Sequence, residues 1–341
     1  MKQKRRFNVN DFIQPDVNFS FLTFLYTNTC NAQCSHCCLS CGPDKNDKLS
    51  PEFLIENLSS FPGLNIGEFC ITGGEPFLFL EEIEEILSFA NSLGLKSYIG
   101  TNGFWGVSYS KAYNVLRKLY LSGLKVLLLS TDKYHQEFVS VDKIYNIVRA
   151  AEDIGIAVKI TVNMTGKETE NLLLIEKFND FKCLISFKEP KLMGRARKNV
   201  NKEDLITVIP GDRASYWDIN EKNIHAVCNQ VKAPLITPDK RVWICCGIPA
   251  NKYYYTNFNL NPLVLGNMNE KSLAAILKEN EDNPMLKILI SKGPVGLVRI
   301  LEKVTGEKYN FRDKYYWACD LCCDILGNNR HVKQIELKGF F

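Results

Sequence analysis

The sequence predicts an α/β protein: an open, partial (β/α)6 TIM-like barrel followed by a smaller, cysteine-rich α+β region. Three observations carry this expectation. Short apolar, β-branched and aromatic runs alternate with amphipathic helical patterns from Phe19 to about Phe187. Six such runs occur, too few for a closed eight-stranded barrel. After about residue 200 the alternation breaks down, and cysteines and aromatic clusters take its place.

The predicted strands are "FSFLTFLY" (19–26), "GEFCIT" (67–72), "KSYIGT" (96–101), "KVLLLST" (125–131), "AVKITVN" (157–163) and "CLISFK" (183–188). Between them Ile83, Ile86, Leu87 and Ala90 recur at helical spacing, as do Ile144, Ile147, Val148 and Ala151. "LSPE" (49–52) supplies Ser50 as a helix N-cap and Pro51 at the first helical position. The expected organisation is a tail over 1–18, the barrel over 19–205 and a second module over 206–341. Within that module, residues 270–304 read as helices interrupted by "KGPVG". In such a barrel, chemistry belongs at the carboxyl ends of the strands.

Composition narrows the classes. The 341 residues, 45% of them apolar, can bury a sizeable core. A formal charge of +4 is small for this length, and the basic cluster Lys2, Lys4, Arg5 and Arg6 reads as a solvated tail rather than a nucleic-acid arm. The basic start runs into Asn8, Asn10 and Asp11 instead of an apolar signal segment, and no apolar run approaches membrane-spanning length. A cytoplasmic protein is expected. Thirteen cysteines cannot all pair within one chain, and in a reducing compartment their excess points to metal ligation or redox chemistry.

"CNAQCSHCC" (30–38) sets Cys30, Cys34 and Cys37 at the spacing C-x3-C-x2-C directly after the first strand. Three soft thiolates suit an iron–sulfur cluster, and a cubane held by only three leaves one iron open. Zinc would need a fourth ligand, which His36, Cys38 or Cys41 could supply, so spacing alone leaves both metals open.

Together with "TGGEP" (72–76) one β-α unit later, this loop resembles the radical S-adenosylmethionine superfamily. The resemblance implies a [4Fe–4S] cluster on Cys30, Cys34 and Cys37, with S-adenosylmethionine on the open iron. By the same resemblance Gly73 and Gly74 allow close backbone approach and Glu75 accepts a bond from the cofactor ammonium. His36 stands where the family commonly packs an aromatic ring on the adenine. Asn102 of "TNG" (101–103), Ser130 of "STD" (130–132) and Asn163 take cofactor-facing roles, with turn capping as the alternative for each. "KEPKLMGRA" (188–196) is similar to the stretch that reaches the cofactor carboxylate, which makes Arg195 a further candidate. Cys38 and Cys41 have no place in the standard motif and are read as non-ligands.

Cys228, Cys245 and the pair Cys319 and Cys322 resemble the shortened auxiliary-cluster extension called a SPASM or twitch domain, with Lys240 where that motif has glycine. "LGNMNEKSLAAIL" (265–277) is similar to the segment that follows it. The implied ligand is a second [4Fe–4S] cluster, with zinc as the alternative. Such extensions occur mainly in maturases of ribosomally made peptides. The implied partners are then a precursor peptide and a one-electron donor of flavodoxin or ferredoxin type. "YYYTNF" (253–258) and "YYW" (315–317) are groove candidates that equally suit a core. A first strand near residue 19 leaves no room for the usual leader-binding domain, so leader recognition is expected elsewhere.

Within that class the short N-terminus, "TNGFWG" (101–106) and the surplus thiols resemble peptidyl epimerases, in which a cysteine returns a hydrogen to the radical centre. Cys228, Cys246 and Cys323 are the donor candidates, and Cys228 cannot serve as both donor and ligand. The rival readings are a maturase forming thioether or C–C cross-links and a non-enzymatic, zinc-stabilised cysteine-rich binding protein.

Overall fold

The computed structural model describes residues 17–164, 175–188, 190–191, 193–201, 228–244, 262–310, 318–326 and 331. Its frame is a sheet of parallel strands: β1 (Phe21–Thr27), β2 (Glu68–Gly73), β3 (Lys96–Thr101), β4 (Leu124–Ser130), β5 (Ala157–Asn163) and β6 (Leu184–Lys188). All six predicted strands form, with ends displaced by at most two residues. β1 is buried along nearly its whole length, as expected of a parallel strand covered on both faces.

The helices between them follow the apolar spacing. α1 (Pro51–Leu58) starts where Ser50 accepts the Phe53 amide, with Pro51 in its first turn. α2 (Leu80–Ser92) turns Ile83, Ile86, Leu87 and Ala90 inward. α3 (Tyr109–Leu121) is capped by Ser108, α4 (Lys133–Gln136) by Asp132, and α5 (Val141–Ile154) buries Ile144, Ile147, Val148 and Ala151. After β6 comes the short α6 (Ala196–Asn199).

The C-terminal region extends the same sheet. β7 (Leu235–Ile236) pairs parallel to β1 through Thr23 and Phe24, and β8 (Arg241–Trp243) and β9 (Val264–Asn267) continue antiparallel. The order is β6-β5-β4-β3-β2-β1-β7-β8-β9. In the turn between β7 and β8, Lys240 has φ +61°, the left-handed conformation that favours glycine. That geometry accounts for the glycine of the resembling motif, and here the lysine adopts it with its ammonium over the Phe53 ring.

α7 (Leu273–Asn280) is capped by Ser272 and α8 (Pro284–Thr305) by Asn283. "KGPVG" is a kink inside α8, where Gly293 leaves helical geometry ahead of Pro294. α9 (Ala318–Leu326) packs on α8. Among the described residues no helix is long and apolar enough to cross a membrane.

The end of β2 approaches the loop after β1 so closely that only glycine fits. A Cβ on Gly74 would lie 2.0 Å from the Thr29 carbonyl oxygen, whereas one on Gly63 meets nothing within 4 Å. Gly74→Ala should therefore cost about 1–3 kcal/mol, the range for forced overpacking. Gly63→Ala should stay within about 0.5 kcal/mol of native. Urea unfolding of both variants checks this, and a native midpoint for Gly74→Ala would contradict it.

Candidate functional site

The loop after β1 has little regular structure, and its shape comes from backbone bonds. Asn28 N–H donates to Asp47 O, Cys30 N–H to Gly42 O, and Gly42 N–H back to Asn28 O, which folds residues 28–48 onto themselves. At its base Leu49 N–H donates to Tyr26 O, while Lys48 and the Tyr26 hydroxyl both bond the Glu82 carboxylate on α2. From the other side, Gly74 N–H and Glu75 N–H donate to Thr27 O and Thr29 O at 2.6 and 2.8 Å. Arg195 closes the top, its amide donating to Cys37 O and its Nε to Cys34 O, both at 3.0 Å. Gly194 makes that approach possible, with φ +53° and no room for a Cβ against the Cys37 and Cys38 carbonyls.

This loop forms one wall of a cavity of about 390 Å3 at the carboxyl ends of the parallel strands. Cys30, Cys34 and Cys37 line it together. Gly73, Gly74, His36, Asn102, Ser130, Asn163 and Arg195 also reach its wall. Glu75 does not. Its carboxylate is fully buried behind the wall, where Oε1 accepts from Phe77 N–H and Thr101 Oγ1 and Oε2 accepts from Asn102 N–H. Burial raises its pKa to about 7 against the pull of those donors. In this structure Glu75 ties the ends of β2 and β3 together, and the two glycines make their close approach to the chain itself.

The thiols differ in character. Burial raises Cys30 to about 11 and Cys34 to about 12. Cys37 lies below the usual thiol range, first because the Cys41 thiol donates to it and further through backbone N–H groups and the Arg195 guanidinium. The same bond and burial push Cys41 up. Cys30 Sγ accepts from Ala32 N–H at 3.4 Å and from Asn102 Nδ2 at 3.8 Å.

The donor set fits an iron–sulfur cluster: three thiols converge in a partly enclosed cavity, with N–H groups already aimed at sulfur. Binding a metal would release the protons that burial holds on Cys30 and Cys34. Two buried polar atoms beside them, His36 Nδ1 and Arg195 Nη2, have no hydrogen-bond partner among the described residues. They fit a polar ligand next to the cluster.

Asp132 and His135 were not among the expected site residues. Asp132 Oδ1 accepts from the Tyr134 amide, the His135 amide and His135 Nδ1, while Oδ2 accepts from Asn163 N–H and Nδ2, all at 2.9–3.1 Å. Although burial opposes ionisation, the His135 charge and these donors hold Asp132 well below the carboxylate range. His135 is correspondingly raised by Asp132 against its own desolvation. His36, Asp132 and His135 bring one ligand atom each within 4.8 Å of one another. With both carboxylate oxygens occupied by donors, this trio is a hydrogen-bonded unit that aligns β4, β5 and α4. Asn163 extends it to His36 Nε2 at 3.2 Å, and the His36 ring stacks on Tyr134 at 4.6 Å. The sequence signal was D-x-x-H directly after a strand, an N-cap with a histidine one turn on.

The second cysteine group is described only in part. Cys228 and Cys322 are half-buried, and neither lines the cavity. Cys228 N–H donates to Leu289 O of α8, and Cys322 lies on α9, which packs on that same helix. Cys245, Cys246, the side chains of Cys319 and Cys323, and the two aromatic clusters fall outside the described residues.

Residues 24–181 match the family model of the Radical SAM superfamily. YydG of Bacillus subtilis (strain 168), whose name assigns it to peptide biosynthesis, is 28% identical over 309 residues, covering 89% of this chain and 91% of YydG. The fold is shared with Streptococcus suis SuiB bound to precursor peptide SuiA, at a TM-score of 0.60 and 16% identity over 82% of this chain and 73% of SuiB. It is also shared with anSMEcpe with bound AdoMet and Cp18Cys peptide, at a TM-score of 0.52 and 15% identity over 93% of this chain and 98% of that one.

Two outcomes follow from the site's chemistry. In Glu75→Gln the amide NH2 must face a backbone N–H in either orientation, so the metal-free chain should lose about 1–3 kcal/mol at pH 8 by urea unfolding. A native midpoint would remove Glu75 from its tying role. Burial, reinforced by the His135 charge, lowers His36 to about 4. Its unfolded value is 6.5, so the unfolded chain binds the extra proton first, and His36 contributes stability above pH 6.5 that is lost as pH falls towards 4. Unfolding free energy of His36→Phe should depend less steeply on pH than native across that window, and parallel profiles would contradict the burial of a neutral imidazole.

Proposed function

Because residues 24–181 form a radical SAM domain, we propose that this chain is a peptide maturase that abstracts a hydrogen from a residue of a ribosomally made precursor peptide. The observation that carries the proposal is the convergence of Cys30, Cys34 and Cys37 on one cavity at the carboxyl ends of the strands. Kinship with YydG over most of both chains supports a peptide as the substrate class.

In this reading Cys30, Cys34 and Cys37 hold a [4Fe–4S] cluster. When bound, the cluster and S-adenosylmethionine supply a 5′-deoxyadenosyl radical, given one electron from a flavodoxin- or ferredoxin-type donor. The chain's own residues orient that cofactor. Arg195 is fixed by its Nε bond to Cys34 O and keeps Nη2 for the cofactor carboxylate. Asn102, Ser130 and Asn163 offer polar contacts along the strand ends, and His36 offers its ring. Gly73 and Gly74 keep the wall flat enough for close approach. Cys228, Cys245, Cys319 and Cys322 form an auxiliary cluster site in a SPASM/twitch-like region, supported for Cys228 and Cys322 by their common neighbour α8.

The favoured reaction is L-to-D epimerisation at Cα, with the returning hydrogen taken from Cys246 or Cys323, or from Cys228 in the case where that thiol is not a cluster ligand. Surplus thiols beyond the four auxiliary ligands support it. Cross-link formation uses the same fold and differs in the product.

Anaerobic reconstitution of the native chain and of a variant with Cys30, Cys34 and Cys37 changed to Ala is the first test. Iron should fall from about eight to about four atoms per chain. Zinc without iron would sink the proposal. A precursor peptide that the chain modifies, treated in heavy water, should gain one deuteron and keep its bonds. A product two hydrogens lighter would replace epimerisation by cross-linking.

A further inference from the structure

The contact between Asn163 and His36 joins two nitrogens, Asn163 Nδ2 and His36 Nε2, at 3.2 Å. One must donate and the other accept, and Asp132 decides which. We propose that Asp132 and Asn163 are positioning residues that hold His36 as its Nδ1–H tautomer, and that this N–H donates to an acceptor atom on the adenosyl group of S-adenosylmethionine. The tautomer stands on hydrogen bonds within this chain, whereas its partner rests on the cofactor assignment of the proposed function.

Asp132 is fully buried, with donors on both carboxylate oxygens. Its Oδ2 receives the Asn163 amide and Asn163 Nδ2, both at 3.0 Å. Turning the Asn163 side chain over would set its oxygen against that carboxylate oxygen, so the atom facing Asp132 is the nitrogen. A primary amide nitrogen carries two hydrogens. One goes to Asp132 and the other to His36 Nε2, which must therefore offer a lone pair. An imidazolium would set N–H against N–H at this contact, and so would the Nε2–H tautomer. The proton of the neutral ring is left on Nδ1. The ring itself is fixed, stacked on Tyr134 at 4.6 Å and 22° and meeting His135 edge-on at 4.6 Å. His36 is 8% exposed and lines the cavity with Cys34 and Cys37, and its Nδ1 has no hydrogen-bond partner among the described residues. A buried N–H in that wall calls for an acceptor on the ligand that fills the cavity. An adenosyl group offers two kinds, adenine ring nitrogens and ribose oxygens. Both hydrogens of the Asn163 side chain are spent within the protein, so they act on the cofactor through His36.

The chain has four histidines, so nitrogen NMR of the metal-free, full-length protein labelled at histidine, with His36→Phe to assign the signal, reads the tautomer directly. Nδ1 of His36 should be the N–H nitrogen and Nε2 the bare one. An Nε2–H ring or a mixture of tautomers in the native chain overturns the proposal. In Asn163→Ala the Nδ1–H preference should be lost, and its persistence there overturns the positioning role. The contact with the cofactor is read by equilibrium binding of S-adenosylmethionine to anaerobically reconstituted chains. His36→Phe, which keeps a ring but no N–H, should bind about tenfold more weakly, the effect of losing roughly one hydrogen bond. Adding Asn163→Ala to His36→Phe should cost nothing more, because Asn163 works through the ring. A further loss in the double variant would make Asn163 a direct ligand and overturn its positioning role. Analogues in which each adenine ring nitrogen in turn is replaced by C–H, or a ribose hydroxyl by hydrogen, locate the acceptor: the one that lacks it should bind native and His36→Phe equally. Native affinity in His36→Phe, or a difference that survives every analogue, overturns the donor role. A native chain that takes up no iron sinks the cluster assignment and the cofactor contact with it, while the tautomer is still read in the metal-free protein.

Discussion

Two hydrogen bonds govern the architecture of this site: the Gly74 and Glu75 amides reach across from the end of β2 to the carbonyls of Thr27 and Thr29. The cysteine loop has little helix or strand of its own to hold Cys30, Cys34 and Cys37 in register, so it takes its position from the strand ends beneath it. Those bonds require the second turn to touch the first loop, which forbids a side chain at Gly74. Around that contact everything else is added support. The Tyr26, Lys48 and Glu82 knot fastens the loop's return, and the Gly194–Arg195 segment fastens its top. A site meant to receive a large inorganic group cannot fill its own centre, so its rigidity must come from the rim.

A second level of organisation is electrostatic. Burial keeps protons on Cys30 and Cys34, while donors surround Cys37 and Asp132. The two groups sit in different surroundings. Asp132 is saturated by donors from α4 and β5 and serves as a joint between strands. Cys37 lines the cavity. Donors aimed at the Asp132 carboxylate build a fixed point in one place, and the cysteine loop leaves an open cavity wall in the other.

Much of this was legible in the sequence because it was written in apolar periodicity. The six strands and the inward faces of α2 and α5 follow the runs and spacings of Ile, Leu and Val, and Ser50 and Pro51 announced α1. The cysteine spacing and the glycine pair located the cavity. What escaped depends on distances that no short window contains. β7 is two residues long and has no period to read, so its pairing with β1 was invisible. Asp132 looked like one acid in a turn until five donors from two segments, α4 and the end of β5, met on it. Glu75 looked like a cofactor ligand because its motif says so, yet Thr101 and Asn102, a full β-α unit later, claim its oxygens.

The pairing of Thr23 with Leu235 has a consequence for how the molecule is made. A ribosome delivers β1 to β6 long before β7 emerges, so one long edge of β1 waits unpaired through most of synthesis. Exposed edges of this kind recruit other chains, and contacts between distant residues form slowly. The nascent barrel therefore passes through a period in which the strand that leads into the cysteine loop has an exposed edge. Low temperature or abundant chaperone, by shielding such an edge, acts on the chain before any cofactor site is complete.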